Sequence, residues 1–144
     1  MFNRIVVGID FSQASLQALR RAASLAKLLD LPLAAVHVVE DAKPPFYAAY
    51  APMGDPSWFQ AVEPLAHGKL AEWLAPFPEA RAVVASGRPA EALMAETDRD
   101  SLLVVGQVGH NPLEHLLFGS TANRVVHHAA CDVLVVREAA PVSG

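Results

Sequence analysis

Three glycines and a pair of hydroxyls carry the clearest chemistry in this chain. Gly106, Gly109, Gly119 and Ser120 stand in the spacing G-x2-G-x9-G-[ST], with Thr121 directly after. Glycines at 106 and 109 can adopt positive φ and bring no side chain, so a ligand can approach the backbone closely. Gly119 and Ser120 precede an apolar pattern of helical period, Ala122, Val125, Val126 and Ala129. The first N–H groups of a helix have no partner within it. Those donors, with the positive end of the helix dipole, favour an anion such as phosphate. The Ser120 and Thr121 hydroxyls would add further bonds to its oxygens. Each residue taken singly also has a plain reading, with Ser120 as an N-cap and the glycines as turn residues. The combination is what points to phosphate.

Two common nucleotide motifs are absent. No G-x-x-x-x-G-K-[ST] occurs and the loop holds no Lys, so this is not a Walker A site. No G-x-G-x-x-G follows the first apolar run, which argues against a Rossmann dinucleotide site. A second strand end with polar residues is Gly8-Ile9-Asp10-Phe11-Ser12, where Asp10 is either a solvated carboxylate beside a helix start or a ligand.

The elements that must position these residues follow from hydrophobic period. Ile5–Ile9, Leu33–Val39, Ala80–Ala85, Leu102–Val105 and Val133–Val136 are short aliphatic runs, several of them continuous rather than alternating. Continuous runs suit strands buried on both faces of a parallel sheet. Ser12 is placed to cap a helix whose inner face carries Leu19, Ala22, Ala26 and Leu29, ending at Asp30-Leu31-Pro32. Leu65–Phe77 reads as a helix with Pro64 at or near its start, and Pro89 opens another with Ala90, Leu93, Met94 and Thr97 on one face. Strand and helix alternate throughout, which predicts a doubly wound α/β sheet in a single domain over residues 1–144. Lys43 to Pro56, with four prolines and Phe46, Tyr47 and Tyr50, is expected to be a long connection, with a lid or contact surface as the functional alternative.

The chain as a whole resembles the universal stress protein family. The glycine pattern matches that family's ATP-binding signature, and Ile5-Val6-Val7-Gly8-Ile9-Asp10-Phe11-Ser12 is similar to its opening strand and Asp-x-Ser turn. Ala35-Val36-His37-Val38-Val39 resembles its second strand, Ser86-Gly87-Arg88-Pro89 its Gly-x-Pro approach to the third helix, and Cys131-Asp132-Val133-Leu134-Val135-Val136 its closing strand. The resemblance implies an open five-stranded parallel sheet in the order 3-2-1-4-5, helices on both faces, of the adenine nucleotide alpha hydrolase-like kind. It implies an adenine nucleotide, ATP or else ADP or AMP, with Mg²⁺ as the accompanying ion. Asp10 and Val38 would flank base and ribose, Val105 and Gly106 would begin the phosphate side, and Gly109, Gly119, Ser120 and Thr121 would hold the phosphates. It also implies a homodimer through the Val133–Val136 edge strand.

One departure bears on the site. Family members with a working loop often carry His or Arg before the second glycine and Arg or Lys after it. Here Val108 and His110 stand there, and Glu114 adds a negative charge. Less fixed positive charge weakens the hold on a triphosphate unless Mg²⁺ or a protonated His110 compensates. Catalysis has little support: phosphoryl transfer relies on Lys, Arg or Mg²⁺, and no catalytic residue is assigned. The competing readings are a regulatory nucleotide-binding protein, a slow ATP hydrolase, and a nucleotide-free dimeric interaction module. Retention of the glycine signature favours the first.

Composition narrows the classes further. The net charge is −4, with three Lys and eight Arg dispersed, so the basic footprint of a nucleic-acid binder is missing. Mean hydropathy is +0.28, yet no apolar run approaches the ~18 residues of a membrane span. The opening Met1-Phe2-Asn3-Arg4-Ile5 lacks the layout of a signal peptide, and the expectation is a cytoplasmic protein. Cys131 is the lone cysteine and reads as a small buried hydrophobe. His37 reads as a satisfied core histidine and His127 and His128 as solvent-facing; no metal site is expected from His110, His115 and that pair.

Overall fold

β-Branched and aliphatic side chains pack well on a pleated surface, and in the computed structural model all five aliphatic runs are strands. The structure describes residues 1–40, 58–107 and 119–137. The elements run β1 (Arg4–Ile9), α1 (Gln13–Leu29), β2 (Leu33–Val39), α2 (Trp58–Leu74), β3 (Ala80–Ser86), α3 (Pro89–Ala95), β4 (Ser101–Gly106), α4 (Ser120–His128) and β5 (Asp132–Val136). The strands form one parallel sheet in the order β3-β2-β1-β4-β5. Val7 of β1 lies opposite Ala35 of β2 and Val104 of β4.

Alternate residues of each strand feed two separate apolar layers. Ile5, Val7, Ile9, Ala35 and Val104 pack with Ala18, Leu19 and Ala22 of α1 and Leu70 of α2. Val6, Val36, Leu103 and Val105 pack with Ala90 and Leu93 of α3 and Ala122 and Val125 of α4. The sheet is therefore covered on both faces, α1 and α2 on one and α3 and α4 on the other. The Glu91 carboxylate of α3 pairs with the Arg124 guanidinium of α4 and ties the second layer together. The hydrogen bond from Arg124, then the backbone N–H of Glu91 itself, hold that carboxyl below its ordinary value. Among the described residues no helix is long and apolar enough to cross a membrane.

Several details differ from expectation, each for a local reason. Leu29 is 45% exposed because the chain reverses at Asp30, which takes left-handed φ 55°, and Leu31 instead packs against the α1 layer. Val126 is 43% exposed; the buried residues of α4 are Ala122 and Val125. Helix α3 stops at Ala95, and the Thr97 hydroxyl donates to the Met94 carbonyl at 2.8 Å beyond its end. Cys131 is half-buried at the margin of the α3/α4 layer. The residues from Lys43 to Pro56 lie outside the described ones.

The largest difference is in α2, which begins at Trp58 and carries Pro64 inside it. Proline in a helix interior lacks the N–H that would bond the carbonyl four residues back, here Gln60. The helix continues because Val62, Ala66, Leu70 and Leu74 recur at intervals of four and are all buried, so the buried stripe passes through the proline. Restoring the missing bond with Pro64→Ala is expected to stabilise the protein by about 1–3 kcal/mol. Urea denaturation measures this directly, and a loss of stability contradicts the account of α2.

Candidate functional site

The chain leaves β1 toward α1 on one face and leaves β4 toward α4 on the other. Adjacent strands whose connections diverge in this way open a crevice at their carboxyl ends, the usual ligand position in open α/β sheets. Gly106 ends β4, and the next residue, Gln107, donates its N–H to the Val136 carbonyl at 2.9 Å. The Gln107 carbonyl accepts the N–H of Gly119, which brings the two ends of the glycine segment together. Gly109 and His110, with Val108 and Glu114, lie between those ends and outside the described residues.

At the end of β1 the half-buried Asp10 is held by its own turn. Its Oδ1 accepts the Ser12 N–H at 2.9 Å and the Ser12 hydroxyl. The Asp10 N–H donates to Ser15 Oγ at 3.3 Å, and the Ser15 hydroxyl donates to the Ser12 carbonyl at 3.0 Å. Ser12 caps α1, its Oγ accepting the Ser15 N–H at 3.1 Å. The carboxylate is thus fixed beside a helix start by side-chain and backbone donors together. Phe11, between them, has φ 65°.

The remaining sequence-derived residues divide by what they can offer. Val38 is half-buried near the end of β2 and packs on the α3/α4 face, opposite Ala85 of β3. The side chain of Val105 is buried in that same layer. Gly119 is the N-cap of α4 and makes no side-chain cap, while Ser120 and Thr121 are the first two helical residues. The first bond within the helix runs from the Asn123 N–H to the Gly119 carbonyl at 2.9 Å. The N–H groups of Ser120, Thr121 and Ala122 therefore precede the intrahelical ladder. Asp10, Val38, Gly106 and Gly119–Thr121 all lie on the side of the sheet where the strands end at their carboxyl termini.

Gly106 is explained by packing rather than by conformation. Among the described glycines only Gly87 has positive φ, at 117°. A Cβ on Gly106 would stand 2.8 Å from the carbonyl carbon and oxygen of Ala14. The end of β4 is pressed against the first turn of α1, and no side chain fits between them. His37 is buried, with Nδ1 2.8 Å from the Ile9 carbonyl, as a satisfied core histidine should be. Phe11 was not among the sequence-derived candidates, since nothing in its residue type signals a left-handed backbone.

Comparison with known proteins covers nearly the whole chain. The sequence model of the universal stress protein family matches residues 1–137. A universal stress protein of Methanocaldococcus jannaschii is 32% identical over 150 residues, covering 96% of this chain and 84% of its own length. The structure of the universal stress protein UspA from Lactobacillus plantarum superposes with a TM-score of 0.70 at 26% identity, over 95% of this chain and 99% of that one. A universal stress protein from Archaeoglobus fulgidus in complex with dAMP superposes with a TM-score of 0.58 at 20% identity, over 93% and 97% of the two chains.

The contact at Gly106 separates a packing glycine from a permissive one. Gly106→Ala is expected to destabilise the protein by about 1–3 kcal/mol, as overpacking does. Gly68, inside α2 with nothing within 4 Å of an added Cβ, is expected to gain about 0.5–1 kcal/mol on substitution by Ala. Chemical denaturation of the two variants checks both signs.

Proposed function

The chain belongs to the universal stress protein family, and from that membership and the geometry at the switch point we propose that it binds an adenine nucleotide and acts in the cytoplasm as a regulatory or sensing protein of the stress response. The observation that carries the reading is that the carboxyl ends of β1, β2 and β4 and the start of α4 lie on the same side of the sheet. In this reading Asp10 and Val38 flank the base and ribose. The carboxylate, steadied by Ser12, suits ribose hydroxyls, and the apolar Val38 suits the face of a base. Val105 and Gly106 begin the phosphate side. Gly109, His110, Gly119, Ser120 and Thr121 hold the phosphates of ATP, or of ADP or AMP. Mg²⁺ would neutralise phosphate charge there.

The donor set supports an anion at that end. Gly119 brings no side chain to cap the first N–H groups of α4, which leaves them to meet phosphate oxygens. The dAMP complex of the Archaeoglobus relative supports an adenine nucleotide as the ligand class. Between Gly106 and Thr121 the sequence has no Lys or Arg, so fixed cations for phosphoryl transfer are lacking and binding is the proposed activity. β5 closes one side of the sheet order, and its Val133, Leu134 and Val135 are half-buried. An apolar edge of this kind invites pairing, and we propose a homodimer through Val133–Val136.

Protein denatured as purified is expected to release adenine nucleotide, and AMP, ADP or ATP with Mg²⁺ is expected to raise the thermal midpoint. Ligand at 100 times its Kd adds about 2.7 kcal/mol by mass action; absence of both signals overturns the nucleotide reading. A protonated His110 would add positive charge at the phosphate end, so ATP is expected to bind more tightly at pH 6 than at pH 8. Equal affinities remove His110 from the phosphate site. Sedimentation is expected to give twice the mass of the chain, and a monomer at micromolar concentration rules out the edge-strand dimer.

A further inference from the structure

We propose that Phe11 and His37 form a clamp that sets the position of the Asp10 carboxylate, and with it the base-and-ribose wall of the site. The starting observation is the backbone of Phe11, at φ 65°. A bulky aromatic residue has no intrinsic preference for that region, and such strain persists only where the surroundings impose it.

The surroundings here are aromatic. The Phe11 ring lies 4.5 Å, centroid to centroid, from the His37 imidazole, tilted by 39°. On another side it meets Trp73 of α2 edge-on at 5.2 Å and 72°. It also packs beside Val39, Val62 and Ala66, so the ring is seated between the sheet and α2. Edge-on and tilted contacts at these separations are attractive beyond their burial.

His37 grips the same turn a second time. Its Nδ1 is 2.8 Å from the carbonyl of Ile9, the residue before Asp10, while its ring contacts the residue after Asp10. Asp10 is therefore flanked on both sides by residues bound to one buried imidazole. Between them its carboxylate receives the Ser12 N–H and hydroxyl, an arrangement that depends on how Phe11 turns the chain.

Strand alternation gives β2 a double use. His37 is directed to the α1/α2 face, where Phe11 lies, and Val38 to the α3/α4 face. Successive residues of one strand thus position the carboxylate from below and supply an apolar wall above. This assignment rests on the nucleotide reading for the role of Asp10. The clamp itself can be tested without a ligand.

Two variants, Phe11→Leu and His37→Gln, remove the stack while keeping an apolar or a polar group in place. In each, amide hydrogen exchange at Ser12 and Ser15 is expected to quicken by roughly tenfold, while Leu103 and Val104 of β4 keep their protection. Calorimetric titration with AMP and with ATP plus Mg²⁺ is expected to show a roughly tenfold loss of affinity in each variant. In an Asp10→Asn background the same substitutions should cost little more, because coupled residues do not add. Unchanged exchange at Ser12, or losses that add fully to that of Asp10→Asn, overturns the clamp and leaves a hydrophobic plug. Failure of the unaltered protein to bind either nucleotide overturns the nucleotide reading, and the exchange measurement still decides whether Phe11 and His37 hold the turn.

Discussion

Ile5, Val6 and Val7 of β1 and Leu103 and Val104 of β4 are all fully buried, so neither face of these two inner strands can be left to water. A parallel sheet meets that demand with helices on both sides. Right-handed crossovers then fix which helix lies where: α1 and α2 accompany the run from β1 out to β3, and α3 and α4 the return through β4 to β5. The connections after β1 and β4 must part company at the strands' carboxyl ends. The crevice there is a consequence of covering the core, and the candidate site inherits its place from hydrophobic burial.

Close packing adds a second constraint on the same spot. The buried face of α1 is made largely of small residues, Ala14, Ala18, Ala22 and Ala26, which lets the helix lie near the sheet. Its first turn comes so near β4 that Gly106 has no room for a Cβ. A glycine of the G-x2-G-x9-G-[ST] pattern is thereby required by the packing of the fold itself. The same first turn is capped by Ser12, whose N–H and hydroxyl hold Asp10. Helix capping, strand termination and carboxylate placement are one local structure.

All five strands were legible as aliphatic runs, and β2 has the bounds its residues suggest. Their spatial order was not, because period and composition do not encode which strand lies beside which; resemblance supplied it. The start of α2 was misplaced because Pro64 is a strong local stop signal, whereas the buried stripe from Val62 to Leu74 exists only once the sheet is there to receive it. Leu29 and Val126 were assigned inward by the same logic of period alone, and tertiary contact assigned them outward. At the candidate site the polar residues were visible and their supports were not. Nothing in the type of Phe11 announces φ 65°, and the contact that makes Gly106 necessary joins residues 92 positions apart.

Charge gives the last constraint on what this edge of the sheet can do. The chain is acidic overall, the segment from Gly106 to Thr121 offers an anion two histidines and no Lys or Arg, and Arg124, one turn inside α4, is committed to Glu91. Any attraction for a phosphate there would then come chiefly from oriented N–H groups and the helix dipole, which act over short distances and fade within the first turn. Dipoles of that kind reward a phosphate set against them but exert little pull from afar, unlike a cluster of cations. Under the proposed nucleotide reading, discrimination among ligands therefore falls to the opposite wall, where shape and a fixed acceptor would select the nucleoside. A wall with that task would have to be stiff, and a carboxylate held by Ser12 beside the buried His37 and the half-buried Phe11 and Trp73 meets the requirement.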